Sequence, residues 1–276
     1  MDAALANRLG ASVRAADPDR YFSALFAPAE LRPFLFALYA FNAEVARVAE
    51  TVREPMLGAI RLEWWRETSE GAAKGMPRNH DVARGLAALF ATGLVRLEEF
   101  EALIAARAFD SSADHFADFA GLENYLDATG GRLMRLASQV LGAAPDQAVL
   151  VTRDAARAYG LAGLLRSLPF HNSRHKLYLP LDLLSALEMT PEQFFHLEKT
   201  DARLAAARRQ GALKARDYFL AARQAMSQPP RARGALAAIL PAALVPVYLR
   251  RLLRGGDVPI HRRQMALLSA AMKKRL

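Results

Sequence analysis

Two segments of the chain combine helical apolar spacing with polar residues that are unusual in plain helices. The first reads LYAFNAEVARVAE and runs from Leu38 to Glu50. The second reads YGLAGLLRSLPFH, runs from Tyr159 to His171, and leads on into Tyr178-Leu179-Pro180. Apolar residues recur every three or four positions from Leu31 through the first segment, which predicts a long helix with one buried face.

The rest of the chain has the same character. Ala, Leu and Arg dominate the composition, and runs of β-branched residues are scarce, so helix is favoured over strand. Short Gly and Pro breaks, such as Gly130-Gly131 and Thr190-Pro191, separate stretches of helical periodicity. The sequence therefore predicts one all-α domain over residues 1–276, with roughly ten helices and no strand.

Composition excludes several classes of site. The chain has no Cys, which rules out disulfides, thiolate zinc sites and cysteine nucleophiles. No basic stretch followed by an apolar one follows Met1, and the longest apolar run, Ala235 to Leu249, is interrupted by Pro and too short to span a bilayer. We therefore expect a cytoplasmic protein, and its formal net charge of +9 suits either anionic partners or a solvated helical surface rich in Arg.

The first segment resembles a signature of the squalene/phytoene synthase family. That signature is Tyr-Ala-Phe-Cys-Arg followed, after two residues, by Asp-Asp-x-x-Asp. Tyr39-Ala40-Phe41 matches it, but the three aspartates fall on Ala46, Arg47 and Glu50. The spacing of the signature is therefore preserved, whereas two of its three acidic positions carry no acid.

The second segment resembles the family's other signature, Asn-Ile-x-Arg-Asp-x-x-x-Asp, which leads into Tyr-Leu-Pro. Arg166 and Tyr178-Leu179-Pro180 match, whereas the two aspartates fall on Ser167 and His171. The resemblance implies the isoprenoid synthase fold, a single helical domain around a central cavity. The residues it implies as cavity wall or ligand contacts are Tyr39, Phe41, Asn42, Glu44, Arg47, Glu50, Tyr125, Arg166 and His171.

The departures from the signatures bear on activity. In working members of the family, carboxylates on two facing helices hold Mg²⁺, which grips the substrate diphosphate and assists its departure. Mg²⁺ requires oxygen ligands, and only Glu50 keeps a carboxylate among the five positions. We therefore expect no metal cofactor and no catalytic residue. Glu44, Arg47, Glu50 and Arg166 are expected instead to form a buried ion-pair network, the alternative being a site for another anionic ligand.

A subset of the family lacks the signature aspartates in the same way and is catalytically degenerate. This chain resembles that subset, which includes a mitochondrial complex I assembly factor. The subset implies a role in assembly of respiratory NADH dehydrogenase, with a complex I subunit or another assembly protein as partner. It also implies a location on the inner face of the inner membrane, or in the mitochondrial matrix of a eukaryote. Two alternatives are a head-to-head prenyl transferase and a protein that binds a lipid or isoprenoid ligand without turnover.

Three further patterns have competing interpretations. Asp110, Asp114 and Asp118 lie four residues apart, as a metal site or an acidic surface would place them. His171 and His175 have the spacing of a zinc pair or of ordinary helix-end histidines. From Arg250 to Arg275 the chain has eight Lys or Arg against one acid, Asp257, which suits an anionic membrane surface or a solvated tail. No nucleic-acid motif accompanies this charge, so we expect no nucleic-acid partner.

Overall fold

A computed structural model describes residues 1–52, 54–198, 200–227, 235–254 and 256–276. The described residues are helical and contain no strand, which confirms the predicted fold class. The α-helices are, in chain order, α1 (Ala3–Ala16), α2 (Pro18–Ala24), α3 (Arg32–Thr51), α4 (Pro55–Ala73), α5 (Asp81–Phe90), α6 (Leu97–Ala106), α7 (Ala108–Ser111), α8 (Phe119–Leu126), α9 (Arg132–Val140), α10 (Pro145–Arg166), α11 (Leu168–Ser173), α12 (Leu181–Ser185), α13 (Pro191–Phe195), α14 (Ala202–Ser227), α15 (Leu236–Ile239), α16 (Val245–Arg254) and α17 (Ile260–Lys273).

Helix starts follow local capping chemistry. The Asp2 carboxylate accepts a hydrogen bond from the Leu5 backbone N–H at 2.7 Å and caps α1. Thr190 caps α13 in a reciprocal capping box with Gln193, as the Thr-Pro-Glu-Gln sequence predicts. Six of the helices are shorter than eight residues, which is why sequence periodicity predicts only about ten. A π-helical turn, Asp127–Gly131, separates α8 from α9 at the Gly130-Gly131 break.

The core lies in two main clusters. One is built around α3, which packs against α1, α4, α5 and α9, and in which Leu35, Leu38 and Phe41 are fully buried. At Gly85 of α5 the helices approach closely, because a Cβ atom there would lie 2.7 Å from Leu9 Cδ1. The second cluster is built around the long pair α10 and α14. Helix α9 packs against both α3 and α10, so it joins the helices that carry the two signature segments.

A buried polar cluster fixes the C-terminal helices. The Asp19 carboxylate of α2 accepts hydrogen bonds from Tyr159 of α10 at 3.0 Å, from Arg263 of α17 at 3.0 Å, and from Tyr248 of α16. Side chains of Asp19 and Arg263 are only 6% and 15% exposed. Because the carboxylate joins four helices, it orients α16 and α17 against the body of the domain.

Among the described residues, no helix combines the length and the hydropathy needed to cross a membrane.

Candidate functional site

A cavity of about 770 Å³ lies between the two signature segments. The C-terminal end of α3 contributes Ala46, Ala49 and Glu50 to its wall. Helix α11 and the segment that follows it contribute the opposite wall, from Phe170 to Tyr178. Arg107, Asp110 and Tyr125 close the third side. Three of the predicted cavity residues, Glu50, Tyr125 and His171, therefore do come together.

Asp110 is the buried carboxylate of this cavity, with a side chain 6% exposed. It accepts hydrogen bonds from the hydroxyls of Tyr125 at 2.6 Å and Tyr178 at 2.9 Å, and from Arg107 Nη1 at 3.1 Å. Burial raises the pKa of both tyrosines, which keeps them protonated as donors. The carboxylate is thus held by three protein donors, an arrangement that serves structure and leaves little room for a metal ion.

The acidic triplet does not form one helix face. Helix α7 ends at Ser111, so Asp110 is separated from the other two carboxylates by a turn. Asp114 is exposed, and Asp118 caps α8 by accepting a hydrogen bond from the Gly121 N–H at 2.9 Å. Both interpretations that the sequence offered, a shared metal site and a solvated acidic face, are wrong for Asp110.

Lys176 places a protein cation inside the cavity. Its Nζ donates to the carbonyl oxygens of Phe109 at 2.6 Å, Ser112 at 2.8 Å and Asp114 at 3.3 Å. It also lies 3.9 Å from the centroid of the Phe109 ring, within range of a cation–π interaction. Burial lowers the pKa of Lys176 to about 8, against the attraction of Asp110. All three ammonium protons therefore have acceptors supplied by the chain after α6.

Arg174 joins the two signature segments directly. Its Nη2 donates to the Glu50 carbonyl at 2.5 Å and its Nη1 to the Ala49 carbonyl at 3.3 Å. These carbonyls belong to the last turn of α3, where a helix leaves carbonyls unpaired and its dipole favours a cation. The guanidinium thus stabilises the end of α3 at the place where working members of the family use carboxylates to hold metal.

His171, at the last aspartate position of the second signature, is neutral near pH 7. Its ring is partly buried and lies 4.7 Å, centroid to centroid, from the ring of Tyr178. Burial lowers the pKa of His171 to about 4, and the nearby Lys176 charge lowers it further, despite the attraction of Asp110. The side chain acts as packing against Tyr178, and it supplies no negative charge.

Three predicted residues lie in the core and do not line the cavity. Tyr39 is 2% exposed, Phe41 is fully buried and Asn42 is 7% exposed. Phe41 packs against the rings of Trp65 and Phe100, with centroids 5.8 and 5.2 Å away. Within the described part of the chain, neither the Tyr39 hydroxyl nor the Asn42 Oδ1 has a hydrogen-bond partner. None of the three lines this cavity, and their role as ligand contacts stays a prediction.

Among the described residues, the predicted network is not buried, and of its expected pairs only Glu44 with Arg47 forms. Arg47 and Glu44 line a separate groove between α3 and α4, with nitrogen and oxygen 3.9 Å apart and side chains 46% and 32% exposed. Arg166 lines a third pocket, where it pairs with Asp257 at 3.3 Å and covers the Tyr248 ring at 3.8 Å. The reason is helical geometry: residues 46 and 50 share a face of α3, whereas residue 47 is rotated by about 100°.

The donor set does not fit the Mg²⁺ that the fold family implies. Among the described residues, no three His, Asp or Glu side chains converge in a way that could hold a metal ion. The free carboxylate on the cavity wall is Glu50, and the other, Asp110, is occupied by its three donors. Arg107, Arg174 and Lys176 leave the cavity wall with more positive than negative side chains.

Comparison with solved structures identifies the fold. A dehydrosqualene synthase superposes with a TM-score of 0.80 at 15% identity, covering 98% of this chain and 95% of that one. A squalene synthase from Alicyclobacillus acidocaldarius superposes with a TM-score of 0.75 at 20% identity, covering 92% and 96%. The predicted isoprenoid synthase fold is therefore confirmed.

Sequence comparison finds relatives with two kinds of name. The human protein named NADH dehydrogenase (ubiquinone) complex I, assembly factor 6 is 29% identical over 182 residues, covering 66% of this chain and 55% of that protein. A Drosophila melanogaster homolog with the same name is 27% identical, covering 89% and 75%. A presqualene diphosphate synthase of Rhodopseudomonas palustris is 29% identical, covering 74% and 72%. The chain thus spans about half the length of the human relative.

The family model for squalene/phytoene synthase matches residues 13–270, which include both signature segments and every residue of the cavity wall. The chain belongs to the squalene/phytoene synthase family.

Proposed function

We propose that this protein assists the assembly of respiratory NADH dehydrogenase (complex I) and does not transfer prenyl groups. The observation that carries the proposal is the wall of the cavity between the signature segments, where Glu50 is the one free carboxylate and Arg174 and Lys176 donate to backbone carbonyls. The assembly role is supported by similarity to complex I assembly factors of human and Drosophila melanogaster. The partner is then a complex I subunit or another assembly protein.

Prenyl transfer requires the departure of a diphosphate leaving group. Diphosphate departure develops negative charge, which metal ions normally stabilise in this type of site. Mg²⁺ is usually held by one or two carboxylates together with substrate phosphate. The cavity offers one free carboxylate, Glu50, beside three cationic side chains, Arg107, Arg174 and Lys176, whose charge opposes the binding of a metal cation. Lys176 already satisfies three carbonyl oxygens, so using it to neutralise a diphosphate would break the connection to the segment after α7.

A lipid or isoprenoid ligand held without turnover is compatible with the same cavity. Its volume of about 770 Å³ is in the range of ligand pockets, and its wall includes the aromatic rings of Tyr125, Phe170 and Tyr178. In this version of the proposal the ligand is a structural element of the assembly factor.

Head-to-head prenyl transfer is the second candidate. It is favoured by the Rhodopseudomonas palustris relative, which is named presqualene diphosphate synthase and which the alignment covers to 72% of its length. The substitutions at Ala46, Arg47, Ser167 and His171 weigh against it, because each removes a carboxylate that the family uses.

Deletion of the gene in the organism that encodes it tests the assembly role. We expect less fully assembled NADH dehydrogenase on native gels stained for NADH oxidation, with other respiratory complexes unchanged. The intact gene should restore assembly, and the gene for the Rhodopseudomonas palustris presqualene diphosphate synthase, as a matched control, should not. Normal assembly in the deletion strain, or rescue by the synthase, would refute the proposal. Fractionation of the same cells tests the expected place of action, the cytoplasm or the inner face of the inner membrane.

A further inference from the structure

Helix α17 carries an exposed apolar stripe. Met265, Leu268 and Met272 are spaced by three and four residues and therefore share one face of the helix. Their exposed fractions are 63%, 40% and 76%. Three large apolar side chains exposed together on one helix face are uncommon on a soluble surface and indicate an interaction site.

The orientation of this stripe is fixed by the opposite face of the helix. Leu267 is fully buried and Ala270 is 7% exposed, both in the cluster formed with α16 and the segment before it. Arg263 anchors the first turn through its 3.0 Å bond to the buried Asp19. Helix α17 therefore packs on the domain through this face, and its apolar stripe faces outward.

Exposed cations flank the stripe. Arg262, Lys273, Lys274 and Arg275 are all exposed, and the sequence from residue 258 to residue 276 contains no acid. Within the described part of the chain, no ion pair joins any of these four cations to a carboxylate. Their charge is therefore available to an external anion.

Another exposed apolar patch, on α4, differs in charge. Met56 and Ile60 are 72% and 60% exposed, but the same helix carries Glu63, Glu67 and Glu70 among its cations. Such a mixed surface has no preference for an anionic partner. Of these two surfaces, only that of α17 combines an apolar stripe with positive charge that no carboxylate compensates.

We infer that α17 is the docking face of the protein for an anionic membrane surface. A helix with this pattern lies in the plane of the bilayer interface, with its apolar side chains among the acyl chains and its cations at the headgroups. Methionine suits this position because its unbranched side chain adapts to an irregular environment. The charge complementarity of the four cations selects an anionic leaflet. This inference is independent of the assembly role and of any ligand in the cavity.

Vesicle flotation tests the inference with the intact protein. We expect binding to vesicles of phosphatidylcholine mixed with phosphatidylglycerol, weak binding to phosphatidylcholine alone, and release as salt is raised. Two variants carry the test: M265Q/L268Q/M272Q, which removes the apolar stripe, and K273E/K274E/R275E, which reverses the flanking charge. Because each cation near an anionic leaflet contributes about a fivefold gain in binding, the charge variant should bind at least about a hundredfold more weakly.

The matched control is R209E/R216E/R223E, which makes the same change in net charge at exposed positions of α14. It should bind within a few-fold of the wild type, and circular dichroism melts should show that all variants fold. Absence of flotation, equal binding to both vesicle types, or α17 variants that bind like the wild type would overturn the inference. An equal loss in the control would overturn it as well. The inference would also be overturned if the wild type were a dimer and the α17 variants were monomers, because a second copy of the chain would then cover the stripe.

Discussion

Replacing Asp110 with Asn tests whether its carboxylate has a structural role or binds a metal ion. The substitution keeps the shape of the side chain but removes its charge. In the structure Asp110 accepts from Tyr125, Tyr178 and Arg107, and the Arg107 side chain is only 17% exposed. The variant would leave that guanidinium buried beside a neutral amide whose NH₂ group cannot accept its N–H.

The expected cost is large. Breaking a buried ion pair by removing one partner costs about 3–5 kcal/mol, because the remaining charge is uncompensated. Each hydrogen bond to a charged acceptor contributes about 1.5–3 kcal/mol, and the three bonds at Asp110 are not additive. We therefore expect D110N to lower the free energy of unfolding by about 3–5 kcal/mol. Urea titration followed by far-ultraviolet circular dichroism, in buffer without divalent cations, measures this change.

The control is Asp81→Asn, which breaks the exposed ion pair with Arg8, whose side chains are 40% and 52% exposed. We expect its denaturation midpoint to stay close to that of the wild type. A structural role for the Asp110 carboxylate is refuted if D110N is as stable as D81N. It is equally refuted if Mg²⁺ stabilises the wild type and not D110N, because Asp110 would then be a ligand.

Three other perturbations test the packing and the electrostatics. Tyr248→Phe removes one hydrogen bond to the buried Asp19 and should destabilise the protein by about 1.5–3 kcal/mol in the same titration; no change would mean that the hydroxyl is not bonded. Gly85→Ala places a Cβ atom 2.7 Å from Leu9 Cδ1 and 3.0 Å from Ala37 Cβ, a cost of about 1–3 kcal/mol that exceeds the gain of about 1 kcal/mol in helix propensity. Calorimetry should therefore find a lower melting temperature, and a raised one would contradict the close approach. The pKa of His171 is lowered to about 4, so the unfolded chain takes up this proton first as pH falls. Stability should therefore be lost from about pH 6.5 down to 4, and His171→Gln should remove up to about 3 kcal/mol of that loss; identical pH profiles would show that the imidazole titrates normally.

The fold was predictable because it depends on patterns that the sequence displays directly. Helical periodicity and the Gly and Pro breaks were enough to predict an all-α domain, and the resemblance of the two segments to the family's signatures implied the isoprenoid synthase fold. The Thr190 cap illustrates the same point locally, since capping depends on adjacent residues. Helix number was less predictable, because short helices such as α12 contain too few residues to show a period.

The site was less predictable because its contacts join distant parts of the chain. Tyr178 and Asp110 are 68 positions apart, and no spacing rule connects them. Arg174 and Lys176 were missed because they donate to backbone carbonyls, which have no sequence signal, although the basic run Arg174-His175-Lys176 beside the second signature was a hint. The match to the family's signature gives the position of Arg47 along α3 but not the groove that its side chain enters. Arg47 was therefore predicted at the wrong site.

We propose that this member of the family has lost metal-dependent prenyl chemistry. Release of diphosphate from farnesyl diphosphate tests this proposal, measured with the purified protein in millimolar Mg²⁺ and with the Rhodopseudomonas palustris relative as positive control. We predict no release above the rate without protein, with and without chelator. Release at or above about one turnover per second, abolished by removal of Mg²⁺, would contradict the claim.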